Sequence, residues 1–159
     1  MNRALYLLLG AQFLTAFADN AILFTAIAMI EGNANIGDWY KPALQASFLV
    51  AFVVLAPWVG RVADAMAKSR VLTLGNALKA AGALLLIFGM EPIVAYAVVG
   101  IGAAVYGPAK YGILPELVVH DRLVRANGLI EGSTIVAIIL GAVVGGRLAG
   151  HSIFLALVT

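Results

Sequence analysis

The sequence predicts an all-α fold, a polytopic membrane helix bundle with five transmembrane helices and the start of a sixth. Composition is the first observation behind this prediction. Of 159 residues, 63% are hydrophobic and only 11% are charged, and the mean hydropathy is +1.02. A soluble domain of this size needs a polar shell that so few charged residues do not provide. The other two observations are apolar runs of membrane-spanning length and an uneven distribution of positive charge between them.

The predicted spans follow from the length of helix that crosses a membrane. A hydrocarbon core about 30 Å thick takes about 20 helical residues. Apolar runs of at least this length lie at about 4–30, 43–64, 71–90, 93–114 and 126–149. A sixth run, 152–159, ends without a polar cap. We therefore expect residues 1–159 to form an incomplete N-terminal transmembrane bundle from a longer protein.

The start of the chain also has features of a secretory signal peptide. Arg3 precedes an apolar stretch, and Ala-Phe-Ala at 16–18 forms a cleavage pattern before Asp19. However, the apolar run resumes immediately and four further spans follow. A retained first span is therefore favoured, and N-terminal sequencing would distinguish the two possibilities.

Positive charge predicts the orientation of the bundle. One side carries basic residues at span ends and in loops, namely Arg3, Lys68, Arg70, Arg122 and Arg125. The loops on the opposite side carry Glu31, Asp38, Lys41 and Glu91, with one basic residue among them. Cytoplasmic loops of membrane proteins are enriched in Lys and Arg. The N-terminus is therefore predicted to be cytoplasmic.

Several functional classes are disfavoured by composition. The net charge of +2 gives no basis for nucleic-acid binding. The absence of cysteine excludes disulfides, thiolate catalysis and zinc–thiolate sites. His120 and His151 lie singly at span ends, without a partnered nucleophile or carboxylate. We therefore predict no catalytic residues, no metal site and no cofactor, and hence no enzyme.

Asp19 is the strongest functional signal inside a span. A charged side chain at the bilayer centre costs about 2.5–3.5 kcal/mol, so it faces a bundle interior or a watery cavity. Asp19 lies about 15 residues, or roughly 22 Å, into the first span. Asn20 is adjacent, and Gln12 and Thr15 lie on roughly the same face. Asp19 and Asn20 are predicted to bind substrate, and the alternative is a structural hydrogen bond to a neighbouring helix.

Three further ionisable residues enter the membrane from the cytoplasmic side. Lys110, Glu131 and Lys79 lie at depths of about 6, 9 and 12 Å, and this similarity predicts one buried ion network. Lys110 and Glu131 are predicted to bind substrate, although snorkelling would explain Lys110 equally well. Pro108 is predicted to kink the fourth span just before Lys110.

Small residues predict close helix contacts. Gly141 and Gly145 form a GxxxG pair, a pattern that lets membrane helices approach closely. The same spacing recurs at 128 and 132 and at 146 and 150. In addition, residues 18–23 align with 109–114, which suggests a three-plus-three inverted repeat of the kind used by transporters.

The loop after the second span carries a family signature. The segment GRVADAMAKSR, 60–70, resembles the loop between helices two and three of the major facilitator superfamily. The matching positions are Gly60, Asp64, Lys68 and Arg70, whereas Ala65 and Ala67 depart from the usual basic residue and glycine. The resemblance implies that the four matching residues belong to a cytoplasmic gate.

Four longer stretches narrow the resemblance. AQFLTAFADNAILF, APWVGRVADAMAKSRV, GAAVYGPAKYGILPEL and VRANGLIEGSTIVAIILG are similar to the lysophospholipid transporter family of that superfamily. This resemblance implies a twelve-helix facilitator that moves lysophosphatidylethanolamine-type lipids across the bacterial inner membrane by alternating access. It also implies membrane lipid as a partner and functional coupling to the acyltransferase/acyl-ACP synthetase Aas, which re-acylates the lipid on the cytoplasmic face.

The superfamily fold further implies that helices one and four line a central cavity and that helix three packs outside them. On that basis Lys79 is expected to be structural. Pro108, Gly141 and Gly145 are expected to be structural because of the kink and the close packing that they predict. Two alternatives remain open at this point. One is a facilitator for a small soluble solute or drug, with Asp19 as a proton-coupled carboxylate. The other is a non-transporting membrane assembly module whose GxxxG faces bind partners.

Overall fold

The computed structural model describes residues 3–31 and 37–158. Its helices are α1 (Arg3–Glu31), α2 (Tyr40–Ala65), α3 (Lys68–Ile87), α4 (Pro92–Leu117), α5 (Leu123–His151) and α6 (Ile153–Val158), with a 3-10 turn at His120–Arg122 before α5. Among the described residues, five helices, α1 to α5, are long and apolar enough to cross a membrane. The predicted fold class, an all-α bundle of five spans with the start of a sixth, is confirmed.

The turn between α3 and α4 shows how local sequence ends one helix and starts the next. Gly89 adopts a φ of +77°, a left-handed conformation that glycine reaches without steric cost. Glu91 then caps α4, because its carboxylate accepts a hydrogen bond from the Val94 amide at 3.0 Å. Pro92 occupies the first helical position, where its missing N–H costs nothing.

The long helices alternate in direction, so the two ends of the bundle have different cores. At one end, the start of α1, the end of α4 and the start of α5 meet through Leu5, Leu8, Leu114, Ala126 and Ile130. At the other end, the end of α1, the start of α2, the end of α3 and the start of α4 meet through Ile30, Tyr40, Leu86 and Ala95. The basic residues that predicted orientation therefore share the first end.

Glycines set the closest helix contacts. A Cβ added at Gly145 of α5 would lie 2.7 Å from Cα of Ala21 on α1, and one added at Gly75 of α3 would lie 2.9 Å from the carbonyl oxygen of Gly102 on α4. Gly141 is likewise buried against α1. The glycines of the other two GxxxG pairs have no atom of the described structure within 4 Å of such a Cβ. Only the pair at 141 and 145 packs inside the bundle.

The pattern of helix pairs has the form of a repeat. Helix α1 packs mainly on α5, and α4 packs on α2 and α3. In a three-plus-three repeat α1 corresponds to α4 and α2 corresponds to α5. The α1–α5 pair then corresponds to the α4–α2 pair, and both pairs are present. Helix α4 continues through Pro108, whose ring is exposed, and the kink predicted there stays a prediction.

Candidate functional site

A cavity of about 390 Å³ lies inside the bundle, bordered by residues of all five long helices. Its charged and polar lining includes Asp19 and Asn20 of α1, Lys79 of α3, Lys110 of α4 and Thr134 of α5. Phe48 and Phe52 of α2 contribute an apolar wall. Charged groups at this depth are expensive in a bilayer, and the cavity is where the fold gathers them.

Asp19 and Lys79 form the most buried ion pair of the described structure. The Lys79 ammonium donates to Oδ2 of Asp19 at 2.6 Å, and the two side chains are 8% and 18% exposed, respectively. The same ammonium lies 4.9 Å from the centroid of the Tyr106 ring, within reach of a cation–π interaction. The other carboxylate oxygen of Asp19, Oδ1, is buried and has no hydrogen-bond partner among the described residues.

Gly102 of α4 allows close contact with α3 beside Lys79. A Cβ at residue 102 would lie 2.5 Å from the carbonyl oxygen of Gly75 and 2.7 Å from Cγ of Lys79, so a larger residue would collide with both the α3 backbone and the lysine stem. The sequence placed Lys79 in one network with Lys110 and Glu131. In the structure the ion partner of Lys79 is Asp19, although Lys79 and Lys110 line the same cavity.

Lys110 forms the second ion pair. Its ammonium lies 3.6 Å from Oε1 of Glu131 and 4.3 Å from the centroid of the Tyr111 ring. The Tyr111 hydroxyl donates to the same Glu131 oxygen at 2.7 Å. The Lys110 side chain is 9% exposed and that of Glu131 is 50% exposed. Lys110 therefore faces the cavity, whereas Glu131 lies at its margin.

The polar stripe predicted on α1 contacts two neighbouring helices. Gln12 donates to the Thr134 hydroxyl of α5 at 2.9 Å, and Thr15 donates to the Asn76 side-chain oxygen of α3 at 3.2 Å. Asn20 instead donates to the Ala16 carbonyl of its own helix at 2.9 Å. The stripe thus connects the cavity wall across three helices.

The two ion pairs at the cavity are balanced in charge. Asp19, Lys79 and Lys110 line the cavity, and Glu131, which is half exposed outside its lining, supplies the second negative charge. Isolated charges are costly in a low-dielectric interior, whereas paired and hydrogen-bonded charges are tolerated. A site of this composition suits a ligand that carries both an anionic and a cationic group, because each cavity charge then finds a partner.

A larger cavity, of about 550 Å³, adjoins the same ion pair. It lies between α1, α3 and α6 and is mostly apolar, with lining residues such as Leu14, Ala83 and Leu157. Asp19 and Lys79 line both cavities, so the ion pair stands in the wall between them.

The four predicted gating residues lie around the α2–α3 turn. The Lys68 ammonium donates to Asp64 at 3.1 Å and to the Ala63 carbonyl at 3.0 Å. Gly112 of α4 leaves room for the lysine, because a Cβ there would lie 3.3 Å from its Cε. Gly60 and Arg70 lie nearby but make no side-chain contact with this pair in the described structure. Lys68 of α3 therefore contacts the end of α2 and lies against the end of α4.

Sequence reasoning missed several lining residues. Asn76 precedes Lys79 by three residues, so the two share a face of α3, and this spacing was an available sign that the face is polar and points inward. Tyr106 and Tyr111, whose rings lie beside the two lysine ammonium groups, gave no such signal. Aromatic residues are ordinary in membrane spans, and their contacts with cations depend on the fold.

Comparison with known proteins gives one family and several close relatives. The profile of the Major Facilitator Superfamily matches residues 8–158. A protein of Serratia proteamaculans (strain 568) named lysophospholipid transporter LplT is 50% identical over 157 residues, which cover 99% of this chain and 39% of the relative. Proteins with the same name from Yersinia pestis (strain Pestoides F) and Yersinia pseudotuberculosis serotype O:3 (strain YPIII) are each 49% identical, over 99% of this chain and 38% of their own length.

The chain thus spans about two fifths of the length of these curated relatives, 39% in the Serratia protein. No solved structure matches the chain.

Proposed function

The chain belongs to the Major Facilitator Superfamily, and on that premise we propose that it forms the N-terminal bundle of a bacterial lysophospholipid transporter. The cavity lined by Asp19, Lys79 and Lys110, with Glu131 paired to Lys110 beside it, carries the proposal. Relatives named for lysophospholipid transport, about half identical to this chain, support the class of substrate.

The cavity suits the headgroup of lysophosphatidylethanolamine, which carries a phosphate and an ammonium. Lys110 binds the phosphate, with Glu131 beside it, and Asp19 binds the ammonium with help from the neighbouring Asn20. Oδ1 of Asp19 is buried and has no hydrogen-bond partner among the described residues, so it accepts from the ammonium once the side chain turns toward the cavity. The single acyl chain lies against the apolar wall of Phe48 and Phe52.

Transport proceeds by alternating access, in which two bundles rock around a site near the membrane centre. The α2–α3 turn serves the cytoplasmic gate. Its Lys68–Asp64 contact links helix ends that belong to one bundle, and the Asp64 side chain is 84% exposed and free to meet the other bundle. Gly60 and Arg70 belong to the same gate by their place in the turn.

The proposed setting is the bacterial inner membrane, with a cytoplasmic N-terminus. Basic residues at the end of the bundle formed by the start of α1 and the end of α4 support this orientation. Lysophospholipid delivered to the cytoplasmic leaflet is a substrate for re-acylation. Functional coupling to the acyltransferase/acyl-ACP synthetase Aas follows as part of the proposal.

Flipping of lysophosphatidylethanolamine in spheroplasts tests the function. This chain replaces the matching part of the Serratia relative, and Asp19→Asn and Lys110→Met are compared with the parent. Removing one charged hydrogen bond costs about 1.5–3 kcal/mol, so we expect rates lower by about 10- to 150-fold. Lys41→Met, which breaks an exposed ion pair with Glu31 outside the cavity, is the matched control and should leave the rate unchanged.

Near-normal flipping by both cavity variants, at normal expression, would contradict the proposal. A protonophore distinguishes lysolipid flipping from the main alternative, a proton-coupled facilitator for a soluble solute. Transport of a soluble solute that collapses with the proton gradient, without lysolipid flipping, would instead support a proton-coupled facilitator.

A further inference from the structure

We infer that Lys79 is a second phosphate-binding residue and that substrate binds by displacing Asp19 from it. This inference rests on the proposed function and adds to it an exchange of ion pairs. In the structure Asp19 is the ion partner of Lys79. With substrate bound, the phosphate lies between Lys79 and Lys110, and Asp19 is released.

The positions of the two lysines favour an anion between them. Lys79 and Lys110 line the same cavity, so their like charges face one enclosed space. Each also lies beside a tyrosine ring and one carboxylate, so the two have matching surroundings. An anion placed between two such cations removes their mutual repulsion and accepts hydrogen bonds from both.

Lys79 has one carboxylate partner among the described residues. Its carboxylate partner lies on α1, and its stem passes Gly102 of α4, so the ammonium stands between two helices and faces the cavity. An ammonium has three hydrogen-bond donors and turns easily about a flexible stem. Replacing a carboxylate by a phosphate as the main partner therefore needs a side-chain movement and no change in the backbone.

The exchange makes Asp19 a competitor of the phosphate as well as a ligand for an ammonium. With a substrate that carries an ammonium, the released carboxylate gains a new partner. With an anionic lysolipid such as lysophosphatidylglycerol, it gains none. Removing the carboxylate charge therefore affects the two lipids differently, and a purely structural ion pair would not produce that difference.

Lipid binding to this chain in phosphatidylcholine nanodiscs tests the exchange. The ligands are lysophosphatidylethanolamine, lysophosphatidylglycerol and, as a phosphate-free reference, monoacylglycerol. For Lys79→Met we expect affinity for both lysophospholipids to fall by about tenfold or more, with monoacylglycerol unchanged. For Asp19→Asn we expect tighter binding of lysophosphatidylglycerol, because its phosphate loses a competitor. Lysophosphatidylethanolamine should bind more weakly, because it also loses the partner of its ammonium, so the ratio of the two affinities shifts by about tenfold or more toward the anionic lipid.

Two further variants keep the test decisive. Asp19→Asn/Lys79→Met leaves no unpaired charge, so it keeps the test possible if Lys79→Met does not fold. It should bind lysophosphatidylglycerol as weakly as Lys79→Met, and lysophosphatidylethanolamine at least as weakly. Lys41→Met should bind like the parent. The inference is overturned if the double variant or Lys79→Met binds like the parent, or if Asp19→Asn leaves the ratio of affinities unchanged.

Lys110→Met separates this inference from the proposed function. If Lys110→Met binds lysophospholipid more weakly than the parent and Lys79→Met binds it as well as the parent, the exchange is contradicted and the proposed function stands. Lysophospholipid binding no tighter than that of monoacylglycerol in the parent chain would contradict both.

Discussion

Gly145 offers the sharpest test of how α1 and α5 are packed. In Gly145→Ala the new Cβ would lie 2.7 Å from both Cα and the carbonyl oxygen of Ala21. Carbon atoms in optimal contact are at least about 3.5 Å apart, so α1 and α5 must separate by roughly 0.8 Å. The atoms that block the methyl group belong to the backbone of α1 and do not turn aside as a flexible side chain would.

Overpacking of this kind costs about 1–3 kcal/mol, which corresponds to a factor of about 5 to 150 in the unfolding equilibrium. The matched control is Gly128→Ala on the same helix, where no atom of the described structure lies within 4 Å of the added Cβ. We expect that control to change the free energy of unfolding by no more than about 0.5 kcal/mol.

Equilibrium unfolding of the chain in mixed micelles, titrated with sodium dodecyl sulfate and followed by circular dichroism, measures both variants. Gly145→Ala should unfold at clearly lower detergent fraction than Gly128→Ala. If the two variants unfold at the same detergent fraction, α1 and α5 are not in close backbone contact at Gly145.

The remaining predictions concern the buried polar contacts and the orientation of the chain. Lys79→Met leaves Asp19 buried without its partner and should lower the free energy of unfolding by about 3–5 kcal/mol. Much of this loss should be recovered in Asp19→Asn/Lys79→Met, and equal stability of the two variants would contradict a buried pair. Gln12→Leu removes a hydrogen bond to α5. In the same titration it should lower the free energy of unfolding by about 0.6 kcal/mol, and a loss above about 2 kcal/mol would contradict this expectation. Because the chain contains no cysteine, single cysteine replacements report on which side of the membrane a loop lies. A membrane-impermeant maleimide added to intact cells should label Asp38→Cys and leave Ser69→Cys unlabelled. The reverse pattern would show a non-cytoplasmic N-terminus.

The spans and the intramembrane charges were predictable because their signals are local. A run of apolar residues is long enough to cross a membrane whatever its neighbours are, and five such helices are present in the described residues. The cost of a charge in lipid likewise applies to each residue separately. It directed attention to Asp19 and Lys110, and both line the central cavity.

The pairing of those charges was not predictable by the same reasoning. Depth along a helix follows from a rise of about 1.5 Å per residue, and depth alone grouped Lys79 with Lys110 and Glu131. The ion pair of Lys79 with Asp19 joins residues 60 positions apart. It depends on the rotation of α3 about its axis, which hydropathy does not report.

The amino-acid sequence was thus sufficient to establish how many helices cross the membrane, which face of α1 is polar and which superfamily the chain resembles, because each of these depends on residues within one segment. The partners of each charge came from the folded bundle. Gly102 lets α4 approach α3 beside Lys79, and Gly145 lets α5 approach the backbone of α1. Both are contacts between different helices, so packing, and not the properties of any single helix, assembled the site.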